Sequence, residues 1–65
     1  MNFYAMLARE RKARAYAEHF RKHAVKPEQI ADLEDETWRM LANHFNLRPP
    51  SEATKRMIAE MLREK

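Results

Sequence analysis

No glycine occurs anywhere in this 65-residue chain. Glycine enters left-handed backbone regions at little cost, so tight hairpins and phosphate-cradling loops have no ready material here. The P-loop, the GxGxxG fingerprint and the glycine nucleophile elbow are excluded. The residues that remain are rich in Ala, Glu, Lys, Arg, Leu and Met, all good helix formers. No run alternates with period two in β-branched residues, so no strand is expected. The fold class expected is all-α, a small bundle of three main helices forming one domain over residues 1–65.

Three prolines, Pro27, Pro49 and Pro50, set the boundaries. The first helix is predicted over about residues 3–24. Met6, Ala13, Ala17, Phe20 and Ala24 share one side at about 100° per residue, with Phe3 and Tyr16 flanking them. Arg11, Arg14, Glu18 and Lys22 fall on the other side, where Arg14/Glu18 and Glu18/Lys22 are spaced to pair. The small Ala13 and Ala17 would let another helix approach closely.

Pro27 suits the first position of a second helical stretch over 28–45, with Val25 and Ile30 spaced as a hydrophobic staple. Its apolar positions are Ile30, Leu33, Trp38, Leu41 and Phe45. Drawn as one straight helix, that face carries Glu34 near its middle, a charge that is costly without a partner. A break or kink near 32–35 is therefore expected, with Asp32 capping a restarted helix. Asn46 tolerates the left-handed conformation after Phe45, and Leu47 can fold back on the helix end. Ser51 is the expected N-cap of the last helix, 52–63, whose apolar face is Ala53, Met57, Ile58, Met61 and Leu62. Trp38, Leu41, Phe45, Ile58, Met61, Phe20 and Ile30 should form the centre.

A domain this small hides only about 60% of the surface its unfolded chain exposes. With no Cys there is no disulfide framework and no thiolate zinc site. Tight helix packing or a partner surface must supply stability, so homo-oligomerisation is a further expectation. The longest uncharged runs, Met1–Ala8 and Met40–Leu47, are too short to span a bilayer. No secretory leader opens the chain, and a cytoplasmic setting is expected.

The net charge of +3 conceals an asymmetry. Residues 1–26 carry seven basic groups against Glu10 and Glu18, a net +5. Residues 27–48 carry Glu28, Asp32, Glu34, Asp35 and Glu36 against Arg39 and Arg48, a net −3. The basic segment has the footprint of a helix that tracks phosphates. Its readers would be Arg9, Arg11, Lys12, Arg14, Arg21 and Lys22, with Lys55 and Arg56 added from the last helix. Tyr4 and Tyr16 would add base stacking. The same helix is also read as a solvated face, and the acidic segment as its counter-surface.

A different class of function fits as well: a protein-binding module that docks on a larger assembly through helix faces. Its contacts would be Tyr4, Trp38, Met40, Glu34 and Asp35. Met57 and Met61 read as core or oligomer interface, and Met40 as exposed. Leu41–Ile58 follows a helix-turn-helix in outline, but an ordinary helix–loop–helix corner is the favoured reading. His19 and His23 have the i,i+4 spacing of a metal pair. Only His44, Glu18 and Asp35 could complete it, and nothing in the spacing places them nearby, so no metal or cofactor is expected. Ser51, the only serine, already serves as a cap, and no enzymatic activity is expected.

Overall fold

The structure, a computed structural model, describes residues 3–64. Helix α1 spans Phe3–Lys22, a 3-10 helix spans Pro27–Asp32, α2 spans Asp35–Phe45 and α3 spans Glu52–Arg63. The fold is all-α, with no strand among the described residues.

Helix α1 ends two residues before the expected boundary, because Ala24 turns left-handed at φ 57°. The Val25 amide then donates to Phe20 O at 2.9 Å and the Ala24 amide to Arg21 O at 3.2 Å, the paired bonds of a Schellman ending. Arg14 reaches back to Glu10 at 3.0 Å rather than forward to Glu18. An acid placed four residues before its base is the better orientation on a helix.

Pro27 does open the next element, but as a 3-10 turn rather than an α-helix. The Lys26 amide donates to Gln29 Oε1 at 2.8 Å and the Gln29 amide to Lys26 O at 3.0 Å, which closes its first turn. The break expected near 32–35 is present at Leu33 and Glu34. Asp32 does not cap the restart. Glu34 holds that place in an extended conformation, with no side-chain cap bond. Glu34 thereby leaves the apolar face and is exposed, which removes the conflict of a charge in mid-face.

Helix α2 stops at Phe45, where Asn46 is left-handed (φ 56°, ψ 44°). The Leu47 amide closes this end on Ala42 O at 2.8 Å. Ser51 caps α3, its Oγ accepting from the Thr54 amide at 3.3 Å.

The core consists of Ala13, Tyr16, Ala17, Phe20, Ile30, Trp38 and Ile58. Leu41, Phe45 and Met61, expected at the centre, pack against it half-buried. Tyr16, expected on the flank, is fully buried, its ring 5.6 Å from Trp38 and 5.4 Å from Phe45. Helix α3 comes within 8 Å Cα–Cα of both α1 and the 3-10 helix, while α2 does so with neither α1 nor α3. The α2–α3 connection is therefore an open corner, without the tight helix pair of a helix-turn-helix.

Candidate nucleic-acid interface

The eight basic side chains expected to read phosphate separate into three groups. Arg11, Arg14 and Lys22 lie exposed along the outer side of α1, interrupted by the exposed Glu18. Lys12 is half-buried on the flank of that face. Arg9 is exposed but lines a groove between the start of α1 and the end of α3.

Arg21 performs a structural task. Its guanidinium donates to the carbonyl oxygens of Met61 and Glu64, forty and more residues away, and so satisfies the end of α3. A cation at a helix C-terminus also meets the negative end of its dipole.

Lys55 and Arg56 are remote from that face in function. Both line a separate groove of about 570 Å³ between the 3-10 helix and α3. The Lys55 side chain is only 18% exposed. Its Nζ lies 5.4 Å from the centre of the Trp38 ring and 3.3 Å from Glu52 Oε1. This cation–π contact and ion pair hold it against the core rather than in solvent.

Tyr16 cannot stack on a base, because its ring is enclosed by Phe20, Trp38 and Phe45. Burial also pushes its phenol pKa above the usual 10.0. Trp38, offered as a protein contact, is 1% exposed and belongs to the core. The other residues of that alternative lie at the surface: Tyr4 and Met40 are 80% and 66% exposed, and Glu34 and Asp35 are exposed beside the break.

The three ion pairs found among the described residues are Arg14–Glu10, Lys55–Glu52 and Arg63–Glu60. Each joins neighbours on one helix. Among the described residues none joins α1 to the acidic segment Glu28–Glu36.

The structure brings His44 to His19, with ring centroids 6.2 Å apart, and His23 lies 4.5 Å from His19. Phe45, packed on Tyr16, carries its neighbour His44 there. Sequence spacing gave no sign of this, since the approach depends on how α2 docks. Burial, then His23, His44 and Lys22, lower the His19 pKa below its ordinary 6.5. Among the described residues no group of three His, Cys, Asp or Glu side chains is arranged to hold a metal ion. No helix there is long and apolar enough to cross a membrane.

No protein-family model, curated protein or solved structure matches the chain.

Proposed function

We propose that the outer side of α1 docks electrostatically on nucleic acid, in a cytoplasmic setting. The single observation behind this reading is the basic excess around α1: residues 1–26 are net +5, and among the described residues they form no ion pair with the net −3 segment that follows, Arg14–Glu10 being a pair within α1 itself. The field of a basic face left open attracts a polyanion. Arg11, Arg14 and Lys22 carry the contact, and Lys12 supports it from the flank. Arg11 to Lys22 covers about 16 Å of helix, enough to face several phosphates of one strand. Affinity then comes from counterion release, with little reading of base identity. With Tyr16 buried, the tyrosine that would stack on a base is Tyr4, 80% exposed.

Fluorescence anisotropy with labelled duplex DNA, single-stranded DNA and RNA tests this at low and near-physiological salt. Binding should weaken steeply with salt. Arg11→Gln/Arg14→Gln should lower the log–log salt slope by about 1.8 on duplex DNA, since each phosphate contact contributes about 0.9. Wild-type protein that binds none of the three at low salt rules the reading out.

A second reading, a protein-binding module, rests on a different observation. Phe3, Tyr4, Met6 and Met40 are more than half exposed. A partner recognised this way would contact Tyr4, Met40, Glu34 and Asp35 and would show little salt dependence at its apolar part.

A further inference from the structure

The first two turns of α1 are built unlike the start of any other helix in the chain. Helix α2 opens with Asp35 and Glu36 and α3 with Glu52, acids that complement the positive helix end and favour water. Helix α1 has no acid in its first turn and no charge from Phe3 to Ala8. Phe3 is 66% exposed and Met6 51% exposed, while Leu7 is half-buried. Half-buried Met57 and Met61 of α3 face them across a groove of about 380 Å³.

We infer that this groove is the contact surface for a second copy of the same chain, related by a two-fold axis. The charges at its rim select that occupant. Glu10 and Glu60 are already paired, with Arg14 and Arg63. Arg9 and the Glu64 carboxylate also line the groove and form no ion pair among the described residues. One unpaired cation and one unpaired anion on the same patch are self-complementary. In a two-fold contact Arg9 of each copy meets Glu64 of the other, while Phe3 and Met6 enter the facing groove. The exposed Ala5 and Ala8 permit close approach of the two α1 helices.

The area sets the strength. Phe3, Tyr4 and Met6 leave on the order of 400 Å² of side chain in solvent per copy, so pairing hides roughly 800 Å² before the rim is counted. That lies at the small end of specific interfaces, the size of weak, reversible association. The groove is separate from the outer face of α1, and the dimer does not depend on the nucleic-acid reading.

Sedimentation velocity on the isolated protein, without nucleic acid, tests this from about 5 to about 500 µM. The average mass should climb with concentration from 7.8 kDa toward about twice that value. Met6→Glu should stay monomeric throughout. Arg9→Glu should weaken pairing at least about tenfold, and Arg9→Glu combined with Glu64→Arg should restore it. Circular dichroism verifies that each variant keeps its helices, as exposed positions allow. A wild type that stays monomeric at the top concentration overturns the inference. So does a Met6→Glu variant that pairs like the wild type, a double variant that fails to recover, or growth beyond a dimer.

Discussion

Helix α1 meets its two neighbours in opposite ways. Against α3 its backbone closes to within 8 Å Cα–Cα, an approach that small buried residues such as Ala13 and Ala17 permit. Toward α2 it presents Tyr16, His19 and Phe20, whose rings meet rings of α2 while the two backbones stay more than 8 Å apart Cα–Cα. Tyr16 lies 5.6 Å from Trp38, Phe20 lies 5.7 Å from Trp38, and His19 lies 5.4 Å from Phe45. The alanine seam loses almost no side-chain freedom on folding and gains backbone proximity. The aromatic seam gains far more buried area, with most of its ring pairs edge-to-face as ring quadrupoles favour. It also encloses two polar atoms, Tyr16 Oη and Trp38 Nε1, with no hydrogen-bond partner among the described residues. A short chain can thus hold two helices against one by using size on one side and smallness on the other.

Each seam has a substitution that should break it in its own way. Trp38→Ala should have the larger effect. It removes the ring that touches Tyr16 and Phe20 and underlies Lys55, at a cost of about 3–5 kcal/mol. A core in this size class rarely supplies more than about 3–5 kcal/mol in total, so the variant should be largely unfolded by far-UV circular dichroism at 25 °C. Native-like helicity with a cooperative urea transition would show that the aromatic seam is dispensable. Ala17→Leu should cost less, about 1–3 kcal/mol, by wedging α3 away from α1. A lowered urea midpoint is the expected result. An unchanged midpoint would mean that the seam has room for a larger side chain.

Much of this arrangement could be read from the sequence where local chemistry decides it. Asn46 tolerates a left-handed backbone, Ser51 supplies an N-cap oxygen and Glu34 conflicts with an apolar face. All three were legible because the cause lies within a few residues. The other left-handed residue shows the limit. Ala24 has no side chain that prefers that conformation, and adopting it costs on the order of 1–2 kcal/mol. The paired backbone bonds to Phe20 and Arg21, and the packing of Val25 on the core, hold it there. That cause is tertiary and leaves no mark on the identity of residue 24. The candidate site divides along the same line. Exposure of Arg11, Arg14 and Lys22 followed from helical periodicity. The occupation of Arg21 by the end of α3, and of Lys55 by Trp38, did not, because each partner is distant in sequence.

The smallest expected effect sharpens the comparison at the mouth of the aromatic seam. His19 is half-buried between Phe20 and Phe45, with His23 and His44 close by, and its pKa lies below the ordinary 6.5. The folded state thus disfavours the imidazolium relative to the unfolded chain. From about one pH unit above 6.5 upward the ring is neutral in both states and contributes no pH dependence. As the pH falls below that value, the unfolded chain takes up the proton first, and stability declines. The decline from this group ends once the pH has passed the lowered folded value. Urea midpoints between about pH 7.5 and about pH 5 isolate the effect, since carboxylates titrate mostly below that range. The midpoint should fall with acid in the wild type and fall less in His19→Gln. Equal slopes in the two proteins would place the pH dependence elsewhere, whereas a midpoint that rises with acid would reverse the sign argued from burial. Ala17 itself carries no titratable group, so Ala17→Leu should shift the midpoint by about the same amount at each pH between about 7.5 and about 5, and the two seams become separable in one titration.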